Sequence, residues 1–195
     1  VPKFAGDKGH KLLLDIYSNK QSKIFPPIEH LDFIWDKKKY LTKFKKSKIP
    51  INPTIFVKGS VSIPKLLAQI SSYKWTKFIV KPIGGCEGHG CGFFTTTDTI
   101  AEPTTLMDYF IENSESYEEF LVQRLTNGFT KYGEIKSFWI DGSFRYAIST
   151  QDVPYGDSIV KPMIDEKQLA KCKEIGSKVV TTIPKLSFNG RKVNP

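Results

Sequence analysis

Apolar residues recur along this chain with two different periods, and the change of period marks its elements. In "SIPKLLAQISSY" Ile63, Leu66, Leu67 and Ile70 fall on one side of a helix that Ser62 and Pro64 would open. "EPTTLMDYFIEN" repeats the helical spacing with Pro103, Leu106, Met107 and Phe110. "DEKQLAKCKEIGSKVVTT" does so again, with Asp165 as cap and Leu169, Cys172, Ile175 and Val179 inward. A fourth helix is predicted in "DKKKYLTKFKKSK", where Tyr40, Leu41 and Phe44 share a face behind an Asp36 cap. It should end before Ile49-Pro50, because a residue preceding proline is pushed out of the α region.

Short β-rich runs separate these helices: "PTIFVKG", "KFIVKP" and "CGFFTTT", then "FLVQRL", "EIKSFWI" and "FRYAIST" in close succession. Asp141-Gly142 between the last two predicts a tight hairpin, since a primed turn needs positive φ that Asp and Gly tolerate. Residues 1–34 read as connecting structure, an apolar "KLLLDIY" followed by "FPPIEH", where paired prolines stop regular pairing. "IVKP" occurs at Ile79–Pro82 and again at Ile159–Pro162, and only the first copy is followed by glycines, so the repeat is read as coincidence. Helices and strands mixed, then antiparallel strands, then a helix, give an α+β fold of two lobes.

An apolar share of 39% over 195 residues fills an ordinary core, and no window approaches the length of a membrane span. Cys86, Cys91 and Cys172 are poor material for a disulfide framework and favour an intracellular, cytoplasmic setting. The start at Val1 and the end at "RKVNP", with no obvious closing element, suggest a piece of a longer protein. A net charge of +9 favours anionic partners. Seven lysines lie in "DKKKYLTKFKKSK" alone, where a solvated helix face accounts for most of them. No zinc-finger spacing, RNP-like strand or basic zipper supports nucleic acid as the partner.

The most informative stretch is "IVKPIGGCEGHGCGFF", with five glycines between apolar runs and Lys81 just before them. Glycines cluster where backbone approaches a ligand or takes positive φ, and the amides so exposed can form an anion-binding nest. A Walker A loop is excluded because Cys91 stands where its lysine belongs and Phe93-Phe94 continues as strand. A Rossmann turn would open a helix, and a kinase loop would place its lysine after the glycines. A hairpin loop over phosphates remains, beside the plainer alternative of a structural turn. Cys86, His89 and Cys91 are three ligand types within six residues, without the fourth that a closed zinc site needs. His89 is the better candidate for donating to phosphate.

Alternation in "YGEIKSFWI" sets Glu134, Lys136 and Phe138 on one face and Ile135, Ser137 and Trp139 on the other. Glu134 and Lys136 are then either a surface ion pair or the lining of a polar cleft. In "EEFLVQRL", Gln123 and Leu125 end a strand where backbone groups could reach an adenine edge.

Four pieces in series, "WDKKKYL" with "IPINPT", "FIVKPIGGCEGHG", "FLVQRLTNG" and "YGEIKSFWIDGSFRYAIS", resemble the ATP-grasp superfamily in order and spacing over about Asp36 to Thr150. That superfamily includes D-alanine ligases, glutathione synthetases and inositol phosphate kinases. The resemblance implies residues 1–35 as the end of a preceding domain, 36–118 as the N-terminal lobe with the glycine loop, and 119–195 as a truncated C-terminal lobe. ATP would lie in a cleft between the lobes. By position, Lys37 and Lys81 would contact phosphates, and the loop with Gly84, Gly85, Gly88, His89 and Gly90 would close over them. The backbone of Gln123, Arg124 and Leu125 would read adenine, and Glu134 would hold the ribose hydroxyls. Lys136 stands where many members have arginine, which keeps the charge and loses the planar fork. Gln123 replaces a common glutamate. Magnesium ligands would lie beyond Pro195, since Asn189 and Asn194 are poor donors for a hard cation.

The expected activity is an ATP-dependent ligase that activates a small-molecule or peptide carboxylate as an acyl phosphate for capture by an amine. Lys81 and Lys136 are the catalytic candidates, ATP and Mg²⁺ the expected cofactors. The rivals are a kinase of inositol phosphates or other hydroxyls, a nucleotide-binding module without catalysis, and nucleic-acid binding through the lysine helix.

Overall fold

The computed structural model describes residues 6–19, 26–85, 88–126, 128, 133–152, 158–162, 165–188 and 191–193. It divides into two units, one of the described residues up to Leu41 with Ile51–Leu125, the other of Thr42–Pro50 with those from Thr126 onward.

Four antiparallel strands build the first unit: β1 (Thr54–Lys58), β2 (Lys77–Pro82), β3 (Gly92–Thr95) and β4 (Glu119–Arg124), in the order β1-β4-β2-β3. Alternation divides the sheet into two faces. Phe78 and Val80 of β2 and Phe120 and Val122 of β4 meet the buried Leu66, Leu67, Ile70, Leu106 and Phe110 in one core. Leu66, Leu67 and Ile70 belong to helix α4 (Ile63–Ser72), and Leu106 and Phe110 to α6 (Pro103–Ser114), at the spacings the sequence predicts. Phe110 and Phe120 meet edge to face, centroids 5.2 Å apart at 89°, an arrangement that adds to the burial of their area. Ile79, Lys81, Leu121 and Gln123 alternate with the core residues and lie on the opposite face.

Several elements differ from the expectation. Residues 1–34 are not merely connecting structure. Helix α1 (Gly6–Asn19) and helix α2 (Ile28–Trp35) form there, the latter starting at Pro27. Proline stops strand pairing yet suits a helix start, where its missing N–H would have no partner. The lobe boundary expected after residue 118 falls before β4, but β4 sits between β1 and β2, so the first unit runs through Leu125. The threonines after Phe94 open a helix, α5 (Thr96–Ala101), because the Thr95 hydroxyl accepts the Asp98 N–H at its start.

Helix α3 (Lys37–Lys46) begins as predicted, with the Asp36 Oδ1 accepting the N–H groups of Lys38 and Lys39 at 2.8 and 3.0 Å. It stops where Lys48 turns to φ 56° and the Ile49 N–H donates back to Phe44 at 2.9 Å.

The second unit holds an antiparallel sheet of β5 (Glu134–Ile140), β6 (Ser143–Asp152) and β7 (Ser158–Pro162), in that order. Asp141 and Gly142 take φ 50° and 71°, as the hairpin requires. Helix α7 (Glu166–Thr182), capped by Asp165 accepting the Gln168 N–H, packs on this sheet. A Cβ on Gly176 would sit 2.4 Å from the Trp139 ring, so this glycine sets how closely α7 approaches. Strands β8 (Leu186–Phe188) and β9 (Arg191–Val193) pair near the end, where no closing element was expected. The second "IVKP" lies in edge strand β7 and the first in β2, between two partners. The α+β class holds.

Candidate functional site

The glycine hairpin belongs to the first unit and joins β2 to β3. Its entry is tied to the start of α3: the Lys37 ammonium donates to the Ile83 carbonyl at 3.1 Å and also to the Gly85 carbonyl. Gly84 is buried against Trp35, and a Cβ there would lie 2.7 Å from the indole Nε1. Gly88 and Gly90 adopt φ 75° and 69°, conformations that other residues resist. His89 is exposed. At the exit the Tyr109 hydroxyl donates to the Gly90 carbonyl. Burial above all holds its phenol well above the ordinary range, with Cys91 and Tyr117 adding to the shift.

Lys81 projects from the sheet face opposite the aromatic core, cross-strand from Leu121. Burial pushes the Cys91 thiol up, while the ammonium groups of Lys81 and Lys37 pull it the other way. Cys86, the other half of the zinc question, is outside the described residues, as are Asn189 and Asn194. Among the described residues, no three His, Cys, Asp or Glu side chains gather as a metal site.

Gln123 is only 9% exposed on the same sheet face, and its amide donates to the Thr54 hydroxyl at 2.8 Å. The Arg124 carbonyl accepts from the Asn52 amide at 2.7 Å, while the Leu125 N–H donates to Lys77 at 2.9 Å. Much of the polar backbone at this strand end is thus engaged within the first unit. In the second unit Glu134 and Lys136 form an exposed ion pair at 3.4 Å, on the strand face that also carries the stacked Phe138 and Tyr146 rings. Lys81, Gly84, Gly85, Gly88, His89 and Gly90 lie on one hairpin, Lys37 reaches its entry from the start of α3, and Glu134 pairs with Lys136 in the second unit.

Sequence reasoning missed Trp35 and Tyr109, which hold the two ends of the loop, and Asn52 and Thr54, which fix the end of β4. Tyr109 left a trace in the sequence, since a hydroxyl beside the inward Phe110 needs a partner wherever it is buried. Trp35 opens the "WDKKKYL" piece, but nothing local to it says that its ring covers Gly84.

No protein-family model matches the chain, and no curated protein matches it. Solved structures do. D-cycloserine synthetase DcsG superposes with a TM-score of 0.70 at 15% identity, over 90% of this chain and 60% of that one. N5-carboxyaminoimidazole synthetase from Staphylococcus aureus, complexed with ADP, gives 0.63 at 17% identity, over 96% and 49%. D-alanine–D-alanine ligase from Bacillus anthracis, complexed with ATP, gives 0.58 at 14%, over 82% and 54%. The chain thus spans about half to three fifths of the length of these proteins, and it has the ATP-grasp fold.

Proposed function

We propose that the chain carries the nucleotide-binding part of an ATP-dependent ligase acting on a carboxylate and an amine or similar nucleophile. When bound, ATP would supply its γ-phosphoryl group to a carboxylate oxygen, with ADP leaving, and the amine would then displace phosphate from the activated carbonyl carbon as it gives up a proton. The observation that carries the reading is the β2–β3 hairpin, which has Lys81 on its entering strand, the Lys37 ammonium bonded at its entry and Gly88 and Gly90 at positive φ.

Each residue's part follows from its chemistry. Amides around Gly88 and Gly90 would donate to phosphate oxygens without a side chain in the way, and nothing lies within 4 Å of where a Gly88 Cβ would be. Lys81 would offset charge on the phosphates from a fixed strand, which avoids reorganisation when charge moves. His89 would donate at the rim. Gln123, Arg124 and Leu125 would lie against the base, where an adenine edge has to use carbonyls or exchange with the Leu125 to Lys77 hydrogen bond. Glu134 would accept from the ribose hydroxyls, and Lys136 would steady the transferred group. Magnesium would be held by residues other than those described.

The test is titration of the full-length protein with a non-hydrolysable ATP analogue, followed by product analysis. Lys81→Ala should weaken analogue binding by about 10- to 100-fold, or about 1.4–2.7 kcal/mol, the range of a hydrogen bond to a charged group. ADP release should require both a carboxylate and an amine. A stable phosphomonoester would instead assign phosphorylation of a hydroxyl, and unchanged affinity in Lys81→Ala would remove the lysine from the site.

A further inference from the structure

We propose that Lys37 is a positioning residue that ties down the entry of the glycine loop before nucleotide arrives, a role that rests on the nucleotide reading above and sharpens it. The resemblance by position makes Lys37 a phosphate ligand. Its contacts say something more specific. Both its backbone N–H and its ammonium donate to the Ile83 carbonyl, at 3.4 and 3.1 Å, and the ammonium also reaches the Gly85 carbonyl.

Carbonyls that leave a strand lose their ladder partners and need other donors. Ile83 is the first residue past β2 and is buried, so its carbonyl is such a group. An ammonium offers three N–H donors on a flexible stem, which lets one side chain serve two carbonyls on either side of Gly84. The same short segment is gripped from other directions. The Ile83 N–H donates to Glu119 at 2.9 Å. Trp35 covers Gly84, with its indole stacked on His10 at 5.1 Å. Asp7 lies on the same side and is itself fixed, its carboxylate accepting the Glu118 N–H at 2.7 Å and its own N–H donating to Ser116 at 3.0 Å.

The tie has a chemical consequence. A phosphate oxygen is a stronger acceptor for an ammonium than a neutral carbonyl is, so a polyphosphate near Lys37 competes with the loop for the same donor. In the nucleotide-free protein the loop entry is ordered at Lys37's expense, which lowers the ordering that binding must still supply. Lys37 thereby acts through the loop, whereas Lys81 acts from the strand.

Amide-resolved hydrogen exchange on the nucleotide-free full chain tests the tie, with protection at Val80 and Val122 as the check that the fold persists. Lys37→Met should raise exchange at Gly84 and Gly85 by about tenfold or more through local opening, while Lys37→Arg restores most of the protection. Lys81→Met should leave those two amides within about twofold of wild type while weakening the ATP analogue. Should Lys37→Met unfold the protein, Lys37→Gln, which keeps a donor but shortens its reach, gives the same comparison. Wild-type exchange at Gly84 and Gly85 in a folded Lys37 variant overturns the proposal, most plainly if analogue binding is lost at the same time, since that is the signature of a phosphate ligand alone. Failure of the wild-type protein to bind the analogue would defeat the nucleotide reading and leave the loop measurement standing.

Discussion

The two sheets differ in how completely they are covered. The first buries Phe78, Val80, Phe120 and Val122 almost entirely beneath α4 and α6. Against the second lies α7, none of whose described residues is fully buried. Between α7 and β5 runs a groove of about 690 Å³ whose walls include Ile135, Trp139, Cys172, Ile175 and Val179. A filled core fixes the strands that carry Lys81 and the loop stems, and a site built on such strands keeps its geometry. Glu134 and Lys136 stand on the less covered sheet. One unit thus holds its candidate residues on a stiff support, the other on a softer one.

The strongest way to break this contrast is to cut a side chain from each core and compare. Phe120→Ala should cost about 3–5 kcal/mol, because it empties a site wholly enclosed by Phe110, Tyr109 and Tyr117. Ile175→Ala, on the half-covered face of α7, should cost only about 1–2 kcal/mol. Denaturant melts followed by tyrosine and tryptophan signals would measure both, and equal losses would mean the second core is as well filled as the first.

A smaller effect sharpens the comparison at the surface of α7. The Glu174 carboxylate lies between the ammonium groups of Lys171 at 2.8 Å and Lys178 at 2.9 Å. Their hydrogen bonds, Lys171's first, lower its pKa from 4.5 to about 2. A carboxyl whose folded pKa lies below its unfolded one contributes stability above the unfolded value. That contribution is lost as pH falls from 4.5 toward 2. Because the pair is exposed, salt should weaken it further. Titration of the Glu174 carboxyl by NMR would measure the shift, and Glu174→Gln should remove this part of the acid sensitivity. A midpoint near 4.5 would show that the two lysines contribute nothing.

Legibility in the sequence followed the range of the interactions. Helices α4, α6 and α7 are written in local spacing, and the Asp36, Asp165 and Asp141-Gly142 signals act within a few residues, so all were readable. The place of β4 was not, because "FLVQRL" reads the same whether it pairs with β5 or enters the sheet between β1 and β2. That choice depends on contacts between residues far apart in the chain. Helix α1 was missed for a different reason: Leu12, Leu13 and Leu14 are consecutive, and an unbroken run favours no face. At the candidate site, Lys81 and the glycines could be singled out because composition alone marks them. What Lys37 touches could not be, since a lysine at a helix start looks the same whether its ammonium meets solvent, phosphate or a carbonyl.

The Tyr109 hydroxyl at Gly90 has a consequence for how the hairpin can move. Its phenol stays protonated through the whole neutral range, so the fastening at that stem is an uncharged one. The opposite stem is held by a cation. An anion that draws Lys37 away would thus slacken the entry alone, where Trp35 and Glu119 keep their grip, and would leave in place an exit latch that carries no charge to answer it.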